Sequence, residues 1–177
     1  KVVGGVALGQ AVFMGPHRLE LVKMLLDRGA SMGFRTNSGG SILTAACECE
    51  DGSPELLQLI LNRTNPMDRE DMVRYRYKGN TLKWRSIHRL ARFLIRKRLT
   101  KSGLMAALAQ ECGSTPLQFA VRRGDVDVVN ILLSHGADPT IKNDLGKSPV
   151  DYCDAFPELR GALKRVIKQR SENKPVT

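Results

Sequence analysis

The chain has 177 residues, enough for one domain of ordinary size, and its 42% hydrophobic and 26% charged content excludes disorder throughout. No apolar run approaches the roughly 20 residues needed to cross a bilayer. Aromatics make up only 5%, so a core must come from Leu, Val, Ile, Ala and Met, which favours packed helices over a β-sandwich. The formal net charge is +10.

The start, Lys1 to Gly9, has neither an initiator Met nor a signal-peptide pattern, so a fragment or processed product is expected. Gly4-Gly5-x-x-x-Gly9 lacks the Lys-Ser/Thr and the preceding strand of a phosphate loop and reads as flexible chain. Ala11-Val12 and Leu21 to Leu26 predict a first helix pair, turning around Gly15 to Arg18 and ending at Gly29-Ala30. Gly39 to Ala46 and Leu56 to Leu61 predict a second, with its turn at Asp51 to Pro54. Asn65 to Lys78 follows as an extended connection.

Residues 79–112 admit two readings. Gly79-Asn80-Thr81-Leu82 has the form of a unit start, and Gly79 to Gly113 is one period of 34 residues, which favours a degenerate unit. The other reading is an inserted long helix, about 84–100, followed by a short one at 103–110, with the stack interrupted there.

The clearest unit comes next. Thr115-Pro116 starts a helix, because Thr can cap the free N–H groups and Pro fits the first turn. Leu117, Ala120 and Val121 share one face, Gly124 turns the chain, and Val128, Val129, Leu132 and Leu133 form a second stripe. Gly136-Ala137-Asp138 closes the unit, and Gly146-Lys147-Ser148-Pro149 begins the pattern again 33 residues after Gly113. A last helix opens at Phe156 to Leu159 and runs to Ile167, with Arg160, Lys164, Arg165 and Lys168 on a polar outer face.

The run Gly113-Ser-Thr-Pro-Leu-Gln-Phe-Ala, the central Gly124, Val128 to Leu133 and Gly136-Ala137-Asp138 resemble the ankyrin repeat in sequence and in period. The resemblance implies an all-α solenoid with short β-hairpin fingers, about four units and a C-terminal capping half repeat. The repeat domain would span 1–168, with units at about 6–38, 39–78 (its extended finger at 65–78), a degenerate basic unit at 79–112, 113–145 and a cap at 146–168. Residues 169–177 would be a tail. It also implies a protein-binding scaffold, adaptor or architectural subunit that works through its fingers and concave face. A regulatory domain of a larger enzyme is a further alternative.

Catalytic signals are missing. No nucleophile elbow and no apolar carboxylate pair stand out, and His17, His88 and His135 are far apart. Cys47-x-Cys49 is not a usual zinc spacing, and with Cys112 and Cys153 it suggests free thiols in a reducing, intracellular compartment, cytoplasmic by default. The expectation is a non-enzyme with no cofactor, metal or small-molecule substrate.

Charge carries the functional signal. From Arg74 to Lys101 there are eleven Lys/Arg and no Asp or Glu, so this patch at 74–101 holds the whole positive excess. Its candidate partner-binding residues are Arg74, Tyr75, Arg76, Tyr77, Lys78, Lys83, Trp84, Arg85, Arg89 and Arg92. An acidic protein surface is the first partner that suits it. RNA is the second, since Tyr75, Tyr77 and Trp84 could stack on bases while arginines hold phosphate. A calmodulin-like partner or an anionic membrane is third, and fails if the helix's apolar face is buried in the stack.

Overall fold

The computed structural model describes residues 4–13, 18–49 and 53–172. Gly15 to His17, Asp51-Gly52 and the end of the expected tail, 173–177, lie outside them.

Ten helices follow one another among the described residues: α1 (Gly5–Phe13), α2 (Arg18–Asp27), α3 (Ile42–Glu48), α4 (Pro54–Arg63), α5 (Pro66–Arg74), α6 (Leu82–Arg96), α7 (Gly103–Glu111), α8 (Pro116–Arg123), α9 (Val126–Ser134) and α10 (Pro157–Glu172). A 3-10 turn, Pro149–Tyr152, stands before α10. The starts follow side-chain chemistry. Ser41, Ser53 and Asn65 each accept a hydrogen bond from the backbone N–H three residues on. Proline fills the first turn of α4, α5 and α8, where its missing N–H costs nothing. Thr115 and Gln118 form a reciprocal capping box on α8.

The helices stack in two rows. α1, α3, α8 and the 3-10 turn succeed each other in the inner row, and α2, α4 and α9 in the outer row. α10 closes the end by packing on the 3-10 turn. The core is aliphatic. Ile42, Leu43, Leu117 and Val121 are fully buried where α3 meets α8, each contributing about 1.5–3 kcal/mol. The fingers are tight turns rather than paired strands. Among the described residues a single bridge, Arg35 to Ser41, stands where a hairpin was expected. Thr36 holds that turn by accepting from the N–H groups of Gly39 and Gly40 through its hydroxyl.

Direct packing of α3 on α8 corrects the reading of 79–112 as a degenerate unit of the stack. Helices α6 and α7 do form there, and Thr81 caps α6 as the Gly79-Asn80-Thr81-Leu82 signal implied. They pack on each other, outside the two rows. The cause is charge. An inner-row helix is covered on two sides, as α8 is, with six of its eight residues buried. α6 carries four arginines three or four residues apart and buries only His88 and Ala91. It is charged too heavily to sit between α3 and α8. The stack is therefore not interrupted, as the insertion reading had it, but continues past the helix pair.

Two smaller expectations change as well. The extended finger at 65–78 contains α5, because Asn65-Pro66 is a cap followed by a first-turn proline; only the part after Arg74 is extended. The tail expected from 169 is helical to Glu172.

Gly124 is fixed twice over. Its φ is +77°, a left-handed conformation that strains L side chains, and an added Cβ would enter the Phe156 ring. Gly124→Ala is expected to lower the unfolding free energy by about 2–4 kcal/mol in denaturant titration, combining backbone strain with overpacking.

Candidate functional site

Residues 75–80 lead from α5 to α6 and run between two turns of the stack. The Tyr77 N–H donates to Ser114 O at 2.8 Å, and the Gly113 N–H donates to Tyr77 O at 2.7 Å. On the other side the Asn80 N–H donates to Asn37 O at 3.1 Å, and the Tyr75 hydroxyl donates to Gly39 O at 2.8 Å. Gly39 lies so close to the Lys78 carbonyl that any Cβ would collide with it. This double anchoring sets the position of the whole basic segment.

The next turn of the stack supplies one acid. Asp144 sits in the turn before the 3-10 segment, and its N–H donates to Cys112 O at 2.9 Å. Arg76 and Arg92 both pair with its carboxylate, Arg76 at 3.0 Å. Arg96 donates to its backbone carbonyl at 2.6 Å. Arg76 also donates to Gly113 O and Lys142 O. Three arginines thus converge on a single residue, and a cleft of about 510 Å³ opens beside it, lined by Arg89, Arg92, Phe93, Arg96, Lys97 and Asp144.

The candidate residues from the sequence separate into two groups. Arg74 pairs with Glu70 one helical turn back. Tyr75 is half-buried, with the Arg35 guanidinium 4.4 Å above its ring. Tyr77 is buried between the rings of His88 and Phe119, and burial pushes its hydroxyl well above the usual range. Trp84 is half-buried against His88. Arg76 and Arg92 belong to the Asp144 cluster. Each of these side chains has a contact within the fold. Lys78, Lys83, Arg85 and Arg89 are exposed, and none has an ion-pair partner among the described residues. Arg85 bonds only the Gly79 carbonyl, at 3.0 Å.

The remaining titratable groups are held in place. Burial, and then Arg92, lower the pKa of His88. His135 caps α9 through its ring nitrogen on Ile131 O at 2.9 Å. All four cysteines are free and buried, and burial pushes the Cys112 thiol up to about 11. That shift opposes thiolate formation and so opposes nucleophilic chemistry. At the ends of α3 and α7, burial and then Glu111 raise Glu48 to about 7, while Arg122 pulls the other way.

Sequence reasoning missed Asp144, which reads as an ordinary turn residue. Leu82, Leu90 and Phe93 are all exposed on α6. The four-arginine spacing was the signal that could have predicted this, because a helix with so much charge cannot be enclosed.

A family model described as ankyrin repeats in three copies matches residues 8–153. The chain is similar to the human palmitoyltransferase ZDHHC13, with 37% identity over 57 residues, covering 32% of this chain and 9% of that protein. It is similar to the 2-5A-dependent ribonuclease of Mus musculus, with 44% identity over 55 residues, 31% of this chain and 8% of the relative. A putative ankyrin repeat-containing protein of Treponema pallidum matches at 26% over 145 residues, 78% of this chain and 44% of the relative. The chain thus spans less than half the length of each of these relatives.

Two measurements check the electrostatics. Asp144→Asn removes the carboxylate shared by Arg76 and Arg92, so amide exchange in α6 should quicken by about tenfold or more while α3 and α8 keep their protection. Glu48 has a folded pKa above its unfolded value, so its burial cost is fully felt above pH 7 and is relieved as pH falls toward 4.5. Glu48→Gln should therefore stabilise the protein by about 1–3 kcal/mol at pH 8, with the gain fading across that window in pH-resolved unfolding.

Proposed function

The chain belongs to the ankyrin-repeat family, and from that premise we propose that it is a non-enzymatic protein-binding module whose contact surface is the basic helix α6 and the segment leading into it, outside the two stacked rows. Ankyrin repeats are a protein-interaction fold, and the stacked rows here give a rigid support. The observation that carries the reading is the uncompensated charge. Asp144 engages Arg76, Arg92 and Arg96, yet Lys78, Lys83, Arg85 and Arg89 remain exposed with no carboxylate partner among the described residues. An acidic protein surface supplies the missing counter-charge and gains in encounter rate from the concentrated field.

The structure weighs against RNA as the first reading. Single-stranded nucleic acid is held by free aromatic faces as well as by phosphate contacts. Here Tyr77 is enclosed, Tyr75 is tied to Gly39 and covered by Arg35, and Trp84 packs on His88. Basic residues alone would leave only salt-sensitive, sequence-independent attraction. The reading of a binding module holds whether the module stands alone or within a longer protein, and the relatives named as a transferase and a ribonuclease are compatible with the second case.

Crosslinking of the intact chain to co-purifying proteins should place the contacts at Lys78, Lys83, Lys97 and Lys101. Changing Lys83, Arg85 and Arg89 together to Glu should weaken partner binding by at least about tenfold and flatten its salt dependence. Tight binding of a uridine oligonucleotide, lost in the same triple variant, would instead support the RNA alternative and overturn this one.

A further inference from the structure

We propose that α6 is a recognition helix for an acidic amphipathic helix of a partner protein, which lies along a seam of exposed apolar residues beside the arginine row. This rests on the protein-binding reading above and gives the partner's chemistry and shape.

The seam is set by helical geometry. Leu82, Ser86, Leu90 and Phe93 follow at intervals of four, four and three residues, so they line one face. Leu82 is 80% exposed, Leu90 53% and Phe93 52%, and Ser86 is exposed between them. Three large apolar side chains on one helix face are left without a partner by the fold. Arg85 and Arg89 flank the seam on one edge and Lys83 on the other, and Lys97 stands in line with it beyond Phe93. An apolar seam with charge on both edges is the pairing surface of a two-helix packing, where the edge charges choose the partner. From Leu82 to Lys97 it runs about 22 Å, the length of roughly four helical turns.

Charge complementarity selects the occupant. Arg85, Arg89, Lys83 and Lys97 are all basic, so the matching helix carries Glu or Asp at its edges and Leu or Ile in its seam. A second copy of this chain is a poor occupant, since a two-fold pairing would set the arginines and lysines of both copies against one another. Uniformly acidic chains lack the side chains that would cover Leu90 and Phe93.

The test uses the full chain and three labelled probes in fluorescence anisotropy. The first is a three-heptad acidic amphipathic peptide with Ile and Leu in its seam and Glu at its edges. The second is the same composition scrambled, and the third is poly-glutamate. The heptad peptide is expected to bind saturably and at least about tenfold more tightly than either control. Leu90→Ser with Phe93→Ser should remove that preference while keeping the circular dichroism of the parent. Arg85→Glu with Arg89→Glu should abolish binding, and Arg165→Glu with Lys168→Glu on α10 should leave it unchanged. Equal binding of all three acidic probes would overturn the helix-seam proposal while leaving an acidic partner in place. Failure of all three would overturn both. Binding to phosphatidylserine vesicles that depends on Leu90 and Phe93, without binding of the heptad peptide, would overturn it in favour of a lipid surface.

Discussion

The contact between α3 and α8 is the constraint from which the rest of this molecule follows. Each helix of the inner row is pressed between two neighbours, so it must be small and apolar nearly all round. Residues Ile42 to Cys47 and Pro116 to Val121 are all buried, and the two polar ones, Thr44 and Gln118, have their side chains hydrogen-bonded. Once they pack together, no room remains for what lies between them in sequence. Helices α6 and α7 are pushed outward, and their charge stays in water, where it costs least.

This explains which parts of the structure were legible in the sequence. Thr115-Pro116, Gly124 and Gly136 mark local events, a cap, a left-handed turn and a helix end, and these depend on neighbours a few residues away. The start at Gly79-Asn80-Thr81-Leu82 was legible for the same reason, and Thr81 does cap a helix. What the glycine spacing could not say was where that helix would go. Its destination depends on whether both faces can be buried, and the arginine row at Arg85, Arg89, Arg92 and Arg96 already argued against it. Helix α5 escapes the sequence reading because Asn65 to Lys78 reads there as one extended connection, although Asn65-Pro66 is a cap with its first-turn proline.

The candidate site was less legible. Arg76 and Asp144 are 68 residues apart in sequence and 3.0 Å apart in space. No local rule connects them. The aromatic residues that suggested stacking on bases turned out to hold the segment 75–80 in place, a role that depends on the turns at Gly39 and Gly113 on either side. Charge counting found the right stretch of chain. Only the structure separates its members into those that fasten the helix pair, Arg76, Arg92 and Arg96, and those that face outward, Lys83, Arg85 and Arg89.

A solenoid normally folds through contacts between units adjacent in sequence, which keeps its loop closures short. Here the third unit must find the second across the roughly 50 residues between α4 and α8. Closing a loop about five times longer than the ordinary connection adds on the order of 1.4 kcal/mol of entropy to that step. The anchored segment at 75–80 bridges this gap in the folded molecule, since Tyr77 pairs with Gly113 and Ser114 on one side and Asn80 with Asn37 on the other. The backbone staple that positions the basic surface is thus also a tie between the two units that this long stretch of chain separates.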